Sequence, residues 1–170
     1  MWVGLIIVFA IAMVLGPVML MQPSPGMARI AKLRTQASTL GMAVRLPSPL
    51  KNGEKVRGAV YTLPLDPVLQ KIDDLPYWSL RRLGHSHGIH FNQKWDWGGK
   101  QKALPCMQAC LHACIDELPE GIAAIEMNAS GLGMQWDERI GEQAPEAAVE
   151  ALKQRLEALM RSLVETIDEA

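Results

Sequence analysis

Three of the chain's four histidines, His85, His87 and His90, fall in the segment Gly84-His-Ser-His-Gly-Ile-His90. In an extended chain alternate side chains share a face, so His85 and His87 can reach one metal ion, with His90 as a third donor. Zinc is the metal that such nitrogen donors imply. A closed zinc site takes four nitrogen or sulfur ligands, and the paired Cys-x-x-Cys signatures are missing from the sequence. Cys106, Cys110, Cys114 and His112 could complete the set only through folding, and on a helix His112 points nearly opposite Cys110. The plainer reading is three solvent-exposed loop histidines and no cofactor.

The three cysteines stand four residues apart, on one face of a helix beside Met107 and Leu111. There they act as small apolar residues of a buried face, and reduced thiols are the simplest state for them. A reactive thiol needs a lowered pKa, and only Cys106 sits in a first helical turn, with no base identifiable for it. No catalytic residue is assigned, and the chain reads as a protein that is not an enzyme. In Trp95-Asp-Trp97-Gly-Gly99-Lys100, Trp95 and Trp97 are either a partner-binding loop, since tryptophan is favoured at binding hot spots, or two rings capping a small core. Gly98-Gly99-Lys100 lacks the first glycine and the Ser or Thr of a phosphate loop. Gly131-Leu-Gly133 likewise lacks the third glycine of a dinucleotide fingerprint.

The elements that would position these residues begin with an apolar run. Residues 1 to 28 carry no charged side chain, and Val3 to Met21 are almost unbroken in apolarity. A bilayer core about 30 Å thick is crossed by about 20 helical residues, so residues 1–22 read as a transmembrane anchor. Nothing basic precedes the run and bulky Met19, Leu20 and Met21 close it, which argues against a cleaved signal peptide. Arg29, Lys32 and Arg34 follow immediately, so the positive-inside rule places the N-terminus outside and the body in the cytoplasm.

Pro23-Ser-Pro-Gly26 breaks the chain, and Met27, Ile30, Leu33, Ala37 and Leu40 then recur at helical spacing up to Gly41. Residues 23–41 are therefore a linker and an amphipathic helix. Its apolar face has either lipid or the underside of a domain to lie on, and the lack of Trp or Phe in the stripe favours the domain. Residues 42–170 form one soluble domain. Period-two alternation predicts strands over 42–46, 56–63, 77–83, 90–95, 122–127 and 132–136. The first two make an antiparallel pair, and the last two a hairpin around Asn128-Ala-Ser-Gly131. Pro64 to Asp74 is loop or a single helical turn. Leu104 to Leu118 is a helix. Pro145 opens a long C-terminal one with a seam of Val149, Leu152, Leu156, Leu159, Leu163 and Ile167, and Glu157 and Arg161 are spaced to pair along it. The seam packs across the sheet, or it pairs as a short coiled coil with another copy, as a homo-oligomer, or with another partner. The fold class is α+β: a membrane helix, then a small domain with an antiparallel sheet and a long C-terminal helix.

Charge divides the chain. Up to Pro105 there are 13 Lys and Arg against 5 Asp and Glu, and from Cys106 onward 4 against 13, so +8 and −9 sum to the net −1. A basic half beside an anionic leaflet gains about 1 kcal/mol per Lys or Arg near the surface. No nucleic-acid motif accompanies Arg81-Arg82, Lys94, Lys100 and Lys102, so nucleic acid is not the expected partner.

The order of parts is an uncharged lead, one span holding Gly16-Pro17, and a basic helix leading into a strand. Over residues 1–46 this arrangement resembles YajC, the accessory subunit of the preprotein translocase, from which the chain departs in length and in its histidine and tryptophan segment. Met21-Gln-Pro-Ser-Pro25 followed by a basic helix also resembles an uncharacterised family of single-span proteobacterial inner-membrane proteins. The resemblance implies a bacterial inner-membrane location and brings no activity with it. The expected role is a membrane-anchored accessory or scaffold protein that presents a cytoplasmic domain to a membrane-protein partner. The alternative is a tethered metal-binding or hydrolytic domain built on the histidines.

Overall fold

The computed structural model describes residues 2–4, 6, 7, 9, 11, 13, 24–47, 57–83, 91, 92 and 94–168. Two compact units divide the chain, residues 1–32 and 33–170. In the first, every described residue between 2 and 13 is helical and exposed. Among the described residues no helix is long and apolar enough to cross a membrane, and most of the expected span, including all of residues 14–23, lies outside them.

Helix α1 (Pro25–Thr39) ends where the sequence predicts. Gly41 takes φ 81°, and the Met42 N–H donates to the Ala37 carbonyl at 3.0 Å while the Gly41 N–H donates to that of Ser38 at 3.1 Å. This is the left-handed cap for which glycine has the least steric cost. Leu33 and Ala37 are fully buried in the core of the larger unit, so this stretch of the helix packs into the domain.

Strand β1 (Ala43–Arg45), β2 (Ala59–Leu63), the single helical turn α2 (Pro67–Gln70), β3 (Trp78–Arg82), β4 (Trp95–Trp97), α3 (Pro105–Asp116), β5 (Ile122–Asn128), β6 (Gly131–Trp136) and α4 (Pro145–Asp168) follow. The strands form one sheet of order β1-β2-β6-β5-β3-β4, antiparallel throughout. The expected antiparallel pair β1–β2 and the expected hairpin β5–β6 are present, the latter with Asn128 paired to Gly131.

One strand is displaced from its expected place. The sequence predicts residues 90–95, whereas β4 begins at Trp95. Asn92 and Trp95 bond each other's backbone, N–H to carbonyl, at 3.3 and 2.6 Å, which reverses the chain just before the ladder with β3 begins. Trp95–Trp97, for which a binding loop is one of the two expectations, is thus an edge strand.

A single apolar core joins residues of α1, α2, α3 and α4 to one face of the sheet, with Tyr61, Leu80, Ile125, Met127, Leu132 and Met134 at its centre. Strand alternation sends the other set of side chains to the opposite face. The α4 seam packs inward from Val149 to Leu163, as the packing alternative expected. Along it Glu157 pairs with Lys153 at 3.5 Å rather than with Arg161.

Candidate functional site

Helices α1 to α4 contribute to the core on one face of the sheet, and among the described residues the other face carries exposed charged side chains. Register places Ala43, Thr62, Gly133, Glu126 and Ser79 in one row across five strands, and Arg45, Val60, Gln135, Ala124, Arg81 and Asp96 in the next across all six. The small members lie low: Val60, Thr62, Ala124 and Gly133 are buried, while Arg45 and Arg81 stand exposed. The result is a floor of short side chains rimmed by charge.

Arg45, on the edge strand β1, forms an ion pair with Glu126 on β5, reaching past β2 and β6. In Glu126's own row the residues between are Thr62 on β2 and Gly133 on β6, both short. A methyl group at Gly133 would meet Thr62 Oγ1 at 2.9 Å, Val60 Cγ1 at 3.1 Å and Glu126 Cγ at 3.5 Å. The Asn128 amide also donates to Glu126 Oε1 at 2.9 Å, so the carboxylate is held from two sides. Beside it a shallow depression of about 570 Å³ extends to Tyr77, Ser79, Lys100 and Gln101. Charges of both signs around a low floor suit a partner segment that offers its own charges and hydrogen bonds.

The residues singled out in the sequence go elsewhere. His85, His87 and His90 lie outside the described residues. His112 is exposed on α3 and stacks on Phe91 at 4.0 Å, whereas Cys110 and Cys114 face α4. Among the described residues no three His, Cys, Asp or Glu side chains converge as metal ligands. The cysteines are free thiols packed against the core. Burial pushes the Cys110 pKa up and that of Cys114 up to about 11, which keeps both protonated at neutral pH.

Trp95 is 5% exposed and belongs to the core, and Trp97 packs half-buried between Trp78 and Phe91. Arg82 joins them. Its guanidinium lies 4.9 Å from the Trp95 ring and donates to the Leu118 carbonyl at 3.0 Å, just beyond the C-terminus of α3. Arg81 and Arg82, adjacent in sequence, therefore serve opposite faces of the sheet.

Sequence reasoning passed over Arg45, Glu126 and Ser79. The usable signal was the alternation within predicted strands 42–46, 77–83 and 122–127, which leaves these polar residues on the side away from the core. Comparisons with protein-family models, with curated proteins and with solved structures give no match to this chain.

Proposed function

We propose that this chain is a membrane-anchored accessory protein whose α+β domain offers the sheet face away from the core to a membrane-protein partner, in a binding rather than a catalytic role. The observation that carries the reading is at the N-terminus. Trp2, Val3, Ile6, Ile7, Phe9, Ile11 and Met13 are helical yet between 52% and 84% exposed. A helix that turns this many large apolar groups outward is at home in hydrocarbon rather than in water. The apolar sequence continuing to Met21 is long enough to span, and the Arg29, Lys32 and Arg34 that follow it support an inner-membrane, single-pass protein with its domain in the cytoplasm. The sheet face away from the core supports the binding half of the reading because it pairs a low floor of short side chains with exposed Arg45 and Arg81.

Alkaline carbonate extraction tests the anchor: the full chain stays with the vesicles and a chain lacking residues 1–22 is released. Protease added to sealed spheroplasts leaves the domain intact if it faces inward, and digestion would reverse the orientation. For the face, Arg45→Glu with Arg81→Glu is expected to abolish co-purification of a stoichiometric membrane protein in mild detergent. Unchanged recovery would move the binding surface elsewhere.

A further inference from the structure

On the helical side of the domain, α3 and α4 leave a cleft of about 490 Å³ between them. Cys110 lies near Ser162, Glu165 and Thr166, whereas Cys114 lies near Arg155, so the two helices run in opposite directions. From α4 the cleft receives Arg155, Ala158, Leu159, Ser162, Glu165 and Thr166, among which Arg155, Ala158, Ser162 and Glu165 are alternately three and four residues apart. That spacing is a helix-packing stripe beside the core seam, and Arg155, Ala158 and Glu165 on it are exposed.

The stripe is self-complementary. If a second α4 lies antiparallel across the first, with the two-fold axis at the level of Met160, each residue meets the one equally far on the other side. Arg155, five residues before that level, meets the partner's Glu165, five residues after it. Ala158 meets the partner's Ser162. One interface then holds two oppositely charged pairs, about 15 Å apart along the helix, around a centre of small residues that lets the axes approach to about 8 Å. Ala113 on α3 lines the cleft as well and adds no bulk. Glu117 stands beside Arg155 at that end of the cleft and keeps it mixed in sign.

We infer that the α3–α4 cleft is the interface of a two-fold homodimer in which Arg155 pairs with the partner's Glu165. An isologous contact of this kind needs one patch complementary to itself, and an antiparallel stripe with opposite charges equidistant from its centre meets that condition. The inference stands apart from the membrane reading and survives its failure.

The mass of the full chain in detergent micelles, measured by sedimentation velocity with the detergent contribution subtracted, is expected to be that of a dimer. Arg155→Glu and Glu165→Arg each create two like-charge contacts per dimer and raise the dissociation constant roughly tenfold, whereas the double reversal restores it. Both positions are exposed, so far-UV circular dichroism is expected to be unchanged in the single variants. A monomer at concentrations up to roughly 0.1 mM would overturn the inference. So would a dimer indifferent to either reversal, or one weakened by both and not rescued by the pair. Alkylation of Cys110 and Cys114 gives a second readout, slower in the dimer than in a monomeric charge-reversed variant.

Discussion

Arg34 grips Glu138 through two hydrogen bonds of 2.7 Å, closing a contact between residues 104 positions apart. Glu138 is buried just beyond β6, and its Oε1 also accepts from the Tyr61 hydroxyl at 2.8 Å. The hydrogen bond to Glu138 raises the Arg34 pKa, and burial, followed by the bond to Glu138, raises that of Tyr61. Three elements, α1, β2 and the turn after β6, are thereby joined at one carboxylate. Glu138 sits at φ 61°, a left-handed conformation unfavourable for glutamate, which the two partners hold in place.

Removing the carboxylate leaves a half-buried guanidinium and a buried hydroxyl without their shared acceptor. Glu138→Ala is expected to cost about 3 kcal/mol in urea unfolding, with Arg34's share reduced by its partial exposure. Tyr61→Phe, which removes one hydrogen bond to a charged group, is expected to cost about 1.5 kcal/mol. A Glu138→Ala loss below about 1 kcal/mol would mean that the junction is structurally idle.

Two glycines fix how β2 lies against β6. Gly58 has φ 83° and an added Cβ would meet the Trp136 carbonyl oxygen at 1.8 Å; Gly131 has φ 144° and would meet that of Leu63 at 1.9 Å. Both obstacles are backbone and cannot swing aside. Alanine at either position is expected to lower stability by about 3 kcal/mol or more, through strain and a displaced ladder. Alanine at Gly41, which has φ 81° but no atom within 4 Å of an added Cβ, is expected to cost less, about 1 kcal/mol. Equal losses at the three sites would contradict the close approach.

Periodicity made the elements legible and left their arrangement obscure. Strands 43–45, 59–63 and 78–82 lie within the predicted alternating runs, and 122–128 passes the end of its run by one residue. The placement of β6 between β2 and β5, and of β3 beyond β5, depends on pairings between non-neighbouring strands, for which alternation carries no label. Trp95 and Trp97 show the same limit at the level of single residues. A Trp-x-Trp pair reads equally as a loop or a strand until the turn at Asn92 decides it. Glu138 had no signal at all, because an acidic residue after a strand is ordinarily solvated and only Arg34 and Tyr61 make it a core residue.

The raised thiol and phenol pKa values fix the sign of an alkaline effect. Cys114 ionises at about 11 in the fold against 9.0 in the unfolded chain. Its contribution to stability is therefore whole below pH 9 and is lost as pH climbs through the folded value, because the unfolded state releases its proton first. Cys110 and Tyr61, also raised, act in the same direction, Tyr61 from its ordinary value of 10.0 upward. Urea midpoints are expected to fall from pH 9 onward, and Cys114→Ala is expected to flatten the fall between pH 9 and 10. At pH 8 the aromatic disulfide DTNB is expected to react with Cys110 and Cys114 more slowly in the native protein than after unfolding. A midpoint that rises with pH across this interval would contradict the sign.

Trp78 separates a packing role from a hydrogen-bonding one. Its indole is 2% exposed and meets Trp97 edge to face at 6.1 Å, yet its Nε1 is buried with no hydrogen-bond partner among the described residues. An unmet buried donor costs about 1–3 kcal/mol, which offsets part of what the ring gains by burial. Trp78→Phe keeps an aromatic ring against Trp97 and deletes the donor, so its stability is expected to stay within about 1 kcal/mol of the parent. Trp95→Ala, which empties a site beneath the Arg82 guanidinium, is expected to lose about 3–5 kcal/mol. The same two substitutions report on partner binding. Trp78→Phe is expected to leave co-purification unchanged, and a selective loss of binding in a fully folded Trp95 variant would return the tryptophans to the interface.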